Sequence, residues 1–311
     1  MMGVVSQLEN RRLPELPDIT IYIEALRNRV VGQPIDEVAV RSPFLVRTYD
    51  PPIEEITGRK VLELERMGKR IVFVLEDDHY LVFHLMIAGR FQWREAVKGI
   101  PGSRSVLAAL TFPTGILVMT EAGTKKRASV HLVVGREALA ELAPPGIEID
   151  ESTDAELTAR LLARNHTLKR ALTDPRILSG IGNAYSDEIL HRARLSPILW
   201  TSRMTPEQQS RLVVAVREVL SEWVERLRAE TGTGFPAKVT AFRKEMAVHG
   251  RHGEACPDCG TTVQRIRYAS NETNYCPRCQ TEGKMLRDRA LSRLLKEDWP
   301  RTVEEWEATR P

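Results

Sequence analysis

Residues 256–279 read CPDCGTTVQRIRYASNETNYCPRC and hold all four cysteines of the 311-residue chain. Cys256-Pro-Asp-Cys259 and Cys276-Pro-Arg-Cys279 are two C-x-x-C knuckles with sixteen residues between them. Each knuckle offers two thiolates about a tight turn, and two knuckles close a tetrahedral site with no open position for catalytic water. The spacing predicts a zinc ribbon with one structural Zn²⁺ on Cys256, Cys259, Cys276 and Cys279. A disulfide pair or a redox C-x-x-C is the other reading; confinement of every cysteine to paired knuckles weighs against both. Between the knuckles, Val263, Ile266 and Tyr268 alternate with polar residues as a small hairpin would. Arg265 and Arg267 on that hairpin point to a polyanion, or else form a solvated face. His249 and His252 are expected at the surface, since four thiolates already complete the site.

Upstream of the ribbon the chain reads as helices. Pro206 opens the longest, and Leu212, Val216, Val219, Leu220, Trp223 and Leu227 form one apolar stripe before Gly232 and Gly234 end it. Before it, LSGIGN (178–183) joins two helical stretches. Its glycines let the backbone approach a ligand, and Asn183 is placed to cap the next helix, whose N-terminus is a ready phosphate site. Many such segments are plain helix-helix turns, but the surrounding charge favours a ligand. Arg160, Arg164, Lys169, Arg170 and Arg176 face only Asp174 in that stretch, as a nucleic-acid backbone site requires.

The turn-rich LAPPGIEID (142–150) marks a boundary. On its N-terminal side, short apolar and β-branched runs between 38 and 131 predict a β-sandwich or barrel, with Asp77-Asp78 as a hairpin turn. Ahead of the strands, Ile19, Ile23, Leu26 and Val30 recur at helical spacing, with Asp18 in the first turn.

Composition sets the outer limits. The length suits two or three domains, and a 42% hydrophobic content excludes a disordered or fibrous chain. Net charge is only +3, so any case for nucleic acid rests on the local clusters. No apolar run reaches membrane-spanning or signal-peptide length, so a cytoplasmic protein that does not engage membranes is expected.

PELPD (14–18), GKR (68–70), HLMIAG (84–89), SGIGNAYSDEIL (179–190), VHGRHGEAC (248–256) and NYCPRCQ (274–280), in this order, resemble the formamidopyrimidine-DNA glycosylase/endonuclease VIII family. The resemblance implies an α+β fold: an N-terminal helix on a β-sandwich, a helix-two-turn-helix domain and a C-terminal zinc ribbon. The expected division is an extension at 1–13, a catalytic β-sandwich domain at 14–145, a helix-two-turn-helix DNA-binding domain at 146–237, a finger at 238–282 and a helical tail at 283–311. It also implies a monomeric base-excision repair enzyme on double-stranded damaged DNA, removing oxidised bases and cleaving the abasic site by β,δ-elimination through a proline iminium. By position, Pro14 is the nucleophile, Glu15 the acid/base that opens the sugar ring, and Lys69 a cation acting in base excision. Lys169, Gly182 and Asn183 belong to the phosphate site; Lys125, Lys126 and Arg127, on the stretch comparable to the family's loop that enters the gap left by the extruded nucleotide, and Arg265 and Arg267 of the finger complete the DNA-binding set. Taken alone, PELP is an ordinary lead-in to a helix, and GKR a basic surface turn.

The chain departs from the family pattern at several points. Thirteen residues precede Pro14, and a proline nitrogen inside a chain is an amide without a nucleophilic lone pair. Leu13 stands where the family has its initiator methionine, so an alternative start at codon 13 is expected, with proteolytic trimming as a second route. A blocked Pro14 leaves the other function class, a non-catalytic binder of damaged or branched DNA. EAGTKKRAS (121–129) is basic but lacks the aromatic residue of the family's purine-specific branch, Ile87 stands in place of a wedge methionine, and Asn271 replaces the finger's customary arginine. These changes put oxidised guanine in doubt as the preferred lesion. The tail carries LSRLLKEDW and VEEWEA and reads as helical, expected to pack on the body.

Overall fold

The computed structural model describes residues 14–95, 98–122, 125–237, 239–240, 243–268, 271–287 and 300–308. The expected extension with Leu13, residues 123–124 of the basic loop and 288–299 of the tail, with LSRLLKEDW, lie outside the described residues. The chain divides into two compact units, Met1–Pro144 with Trp223–Ala241, and Pro145–Glu222 with Phe242–Pro311. No helix among the described residues is long and apolar enough to cross a membrane.

The first unit opens with helix α1 (Leu16–Val30). Its start is a reciprocal cap: the Glu15 carboxylate accepts the Asp18 N–H, and the Asp18 carboxylate accepts the Glu15 N–H at 3.0 Å, with Pro17 in the first turn. Eight strands follow: β1 (Glu37–Val40), β2 (Val61–Met67), β3 (Arg70–Leu75), β4 (His79–His84), β5 (Gly89–Arg94), β6 (Val106–Phe112), β7 (Gly115–Glu121) and β8 (Ser129–Val134). They form two four-stranded antiparallel sheets, ordered β2-β3-β4-β8 and β1-β6-β7-β5. Side chains alternate between faces, so Ile71, Phe73 and Leu75 join the main core while Val72 faces the other way, against Tyr80, Val82 and Leu139 of α2 (Arg136–Glu141). The apolar stripe of α1 (Ile19, Ile23, Leu26, Val30) packs into the same core as Phe83, Phe91, Phe112 and Met119. Burying such a side chain contributes about 1.5–3 kcal/mol, which fixes the face α1 presents to the strands.

Two turns carry the functional segments. Gly68-Lys69 is the two-residue connection of β2 and β3, with Met67 paired to Arg70 and Gly68 at φ +60°. Glycine at the first central position matches a type II′ hairpin. The His84–Gly89 segment carries the chain from one sheet to the other, closed by a Gly89 N–H to Leu85 O bond of 2.9 Å.

The second unit begins with β9 (Ile147–Glu148), which pairs in parallel with β10 (Leu178–Ser179). Helices α3 (Asp154–Leu162), α4 (Leu168–Thr173) and α5 (Asn183–Arg192) follow, and α6 (Pro206–Thr231) begins in this unit and ends in the first. Thr153 and Glu156 cap α3 reciprocally, and Arg217 of α6 donates to Asp154 at 2.5 Å. The ribbon consists of β11 (Gln264–Tyr268), antiparallel to β12 (Asn271–Tyr275), and α7 (Pro277–Thr281); a last helix, α8 (Val303–Ala308), covers VEEWEA.

Candidate active site and nucleic-acid interface

Pro14 is buried immediately ahead of α1, and Glu15 is 3% exposed. The reciprocal cap leaves Glu15 and Asp18 side by side at the positive end of the helix dipole, which suits two carboxylates. The β2–β3 turn brings Lys69 to them. Burial pulls the Lys69 pKa below its ordinary value, while the charges of Glu15 and Asp18 oppose that shift. Lys69 is thus within electrostatic reach of Glu15, the residue that follows Pro14. Asp18 completes the group, legible in sequence only as the i,i+3 spacing of a capping box.

Register extends this end of the sandwich. Arg70 pairs with His84 and His84 with Ser129, so the Lys69 turn, His84 and the approach to β8 lie in one row. His84 is pushed down to about 4 by burial first, then by Arg70, Lys69 and His131. Glu121, 1% exposed and paired across from Gly89, anchors the basic loop: its carboxylate accepts the Arg127 N–H at 2.9 and 3.0 Å and the Ala128 N–H at 3.2 Å. The Lys126 ammonium donates to the Glu121 carbonyl, while Lys125 and Arg127 are exposed.

In the second unit Gly182, extended at φ −127°, is the N-cap of α5, and Asn183 is its first helical residue. This corrects the expected cap by Asn183, whose side-chain amide donates instead to Glu272 O at 2.9 Å. Lys169 of α4 donates to Asn183 O at 2.7 Å and to Asp187 at 2.5 Å. Asp187, 0% exposed, also accepts from His249 Nδ1 at 2.6 Å and from the Asn274 N–H at 3.1 Å. Burial opposes its ionisation, but Lys169 and the His249 hydrogen bond outweigh that and hold the carboxyl below the ordinary carboxylate range. The adjacent Glu188 accepts three successive N–H groups, of Ala247, Val248 and His249, at 2.7–3.0 Å. Expected at the surface, His249 is 1% exposed, because Asp187 supplies the acceptor that makes burying an imidazole tolerable; His252 is exposed.

Asp187 therefore joins helix α5 to the ribbon hairpin and Glu188 joins it to residues 247–249, roles the sequence analysis does not assign to either acid. Their signal is the DE pair inside AYSDEIL (184–190), which has no other charged residue. Lys169, Gly182 and Asn183 are brought together, with the Asn183 amide reaching the hairpin that carries the arginines. Ile266 is buried between Arg265, which sits 3.7 Å from Glu272, and the exposed Arg267.

The sulfurs of Cys256, Cys259, Cys276 and Cys279 all lie within 4.8 Å of one another. Cys256 to Cys279 is 3.9 Å and Cys259 to Cys276 is 3.4 Å. A tetrahedral ion with Zn–S bonds of about 2.3 Å implies S···S edges of about 3.8 Å. Burial pushes the Cys276 thiol up to about 12, so holding that group as a thiolate calls for a cation beside it. Donor set and spacing fit one structural Zn²⁺ and leave no ligand position for water.

Known proteins match this arrangement along the chain. Residues 13–134 match the formamidopyrimidine-DNA glycosylase N-terminal domain, 142–234 its H2TH domain, and 253–281 the zinc finger found in FPG and IleRS. The formamidopyrimidine-DNA glycosylase of Desulfitobacterium hafniense is 32% identical over 281 residues, covering 86% of this chain and all of that protein. That of Thermus thermophilus is 35% identical over 288 residues, covering 87% and 100%. The Lactococcus lactis enzyme, solved non-covalently bound to DNA containing an AP site, superposes with a TM-score of 0.75 at 25% identity, over 86% of this chain and 99% of that one. With three domains matched in order and relatives aligned along their full length, the chain belongs to the formamidopyrimidine-DNA glycosylase family.

Proposed function

We propose that the chain is a base-excision repair glycosylase with abasic-site lyase activity, and that Pro14, Glu15 and Lys69 carry its chemistry. The observation that supports this most is the buried Pro14-Glu15 step at the head of α1, where Glu15 and Asp18 cap the helix reciprocally and the charge of Lys69 is within their electrostatic reach. A proline nitrogen released from its acyl partner is a secondary amine in the α-amino range, roughly 7.7–8.0, with a useful neutral fraction at neutral pH. It attacks C1′ of the extruded nucleotide as the base departs with a proton, and Glu15 protonates the ring oxygen as the sugar opens to an iminium. The iminium accepts the electron pair of the 2′ C–H bond when that proton is removed, expelling the 3′ phosphate; a second elimination expels the 5′ phosphate. Lys69 offsets the negative charge of the departing base.

The DNA grip is assigned to Lys169, Gly182 and Asn183, to Arg265 and Arg267, and to Lys125, Lys126 and Arg127. Phosphate contacts from these groups position the duplex without reading its sequence. Bound zinc stabilises the finger fold, and no ligand position is left for it in the chemical step. We place this enzyme in the cytoplasm as a monomer acting on double-stranded DNA. The test is strand cleavage of abasic, oxidised-purine and oxidised-pyrimidine duplexes by protein beginning at Pro14. Nicks ending in phosphates on both sides support the assignment; tight binding with intact strands, as a chain blocked at Pro14 would give, contradicts it.

A further inference from the structure

His191 lies in the last turn of α5 and is 4% exposed. Its Nε2 sits 3.3 Å from Sγ of Cys256, itself 2% exposed, and its ring is within 4.8 Å of the ligand atoms of Asp258 and Cys279. The imidazole therefore reaches the zinc cluster from a different element, 65 residues earlier in the chain. The separation suits an N–H···S hydrogen bond and is too long for anything covalent. The four cysteines already supply a complete tetrahedral set, so a fifth ligand is not needed. Four thiolates around one dication leave a net charge of −2, buried here on one side, and a donor aimed at one sulfur offsets part of it.

We propose that His191 Nε2–H donates to the zinc-bound Cys256 thiolate and is a positioning residue for the metal site. The bond draws charge from Sγ, making the thiolate a weaker base and a weaker nucleophile. Protons and oxidants then compete less well with zinc, and the metal is retained by the helix as well as by the finger. Outer hydrogen-bond partners of metal ligands are commonly worth about 10- to 100-fold in affinity. The same helix starts at Asn183, so zinc occupancy is mechanically tied to the segment that holds the phosphate-site asparagine.

The test compares the full chain with His191→Phe, which fills the space without a donor, and His191→Gln, which keeps one. Zinc affinity is read by competition with a chromogenic chelator, and Cys256 reactivity by the rate of alkylation of the zinc-loaded protein, mapped by mass spectrometry. Expected are an affinity about 10- to 100-fold weaker and faster Cys256 alkylation in His191→Phe, with partial recovery of both in His191→Gln. If His191→Phe does not fold, the His191→Gln values decide: an intermediate loss supports the bond. Unchanged affinity and reactivity in whichever variant folds overturns it. So does a zinc absorption spectrum showing a nitrogen scatterer at about 2.0 Å, which would make His191 a ligand.

Discussion

Replacing Asp187 with asparagine removes one negative charge from the centre of the second unit while keeping the side-chain shape. In the native protein that carboxylate faces the Lys169 ammonium at 2.5 Å, His249 Nδ1 at 2.6 Å and the Asn274 N–H at 3.1 Å, with no exposed surface of its own. All three partners are donors. An asparagine amide brings one oxygen that can accept and one NH₂ group that must face a donor, and it leaves Lys169, whose side chain is 15% exposed, without its counter-charge. Removing one partner of a buried ion pair costs about 3–5 kcal/mol, and most of that range is expected here. With domains typically stable by only about 5–15 kcal/mol, Asp187→Asn should fold at 25 °C but unfold well below the native denaturant midpoint. The assay is urea unfolding of the wild type, Asp187→Asn, Lys169→Met and the double variant. Removing both charges should recover part of the loss, giving a coupling energy above about 1 kcal/mol. A loss under about 1 kcal/mol, or a double variant equal to the sum of the singles, would refute a stabilising Asp187–Lys169 pair.

Gly89→Ala should destabilise the first unit by at least about 1–3 kcal/mol, because an added Cβ would sit 2.2 Å from the Leu85 carbonyl oxygen; a midpoint unchanged in thermal melts contradicts that. His84 binds its proton less readily when folded, at about 4 against an ordinary 6.5, so its stabilising effect is complete above about 6.5 and is lost as pH falls toward 4. That amounts to about 2 kcal/mol between pH 7 and 4.5, so urea midpoints of His84→Gln should fall less with acid than those of the wild type; parallel curves refute it. Asn183→Ala should weaken binding to every lesion duplex by a similar factor, since a phosphate contact carries no base information; a loss confined to one lesion argues against the role.

Local pattern carried much of this architecture. The C-x-x-C pairs identify the metal site because ligand spacing is a property of the chain itself, and the recurrence of Ile19, Ile23, Leu26 and Val30 identifies α1 because helical periodicity is local. Asp187, Glu188 and His249 were hidden for the opposite reason. Acids within a helix and a histidine in a glycine-rich turn look solvated until the fold buries them against one another. At Asn183 the general preference of asparagine for N-caps misled, since the extended Gly182 takes that position and frees the amide for Glu272. The stripe on α6 shows that a face is buried but not where, and the helix is shared between the two units.

The proposed chemistry depends on a covalent bond between the Pro14 nitrogen and the damaged nucleotide. Protein beginning at Pro14 is incubated with abasic-site duplex and borohydride, and the adduct is digested and located by mass spectrometry. The expected result is a reduced adduct on Pro14, absent from protein with an acetylated Pro14 nitrogen and from protein still carrying Leu13. An adduct on Lys69 or another amine, or none on a protein that nonetheless cleaves the strand, would contradict a proline nucleophile.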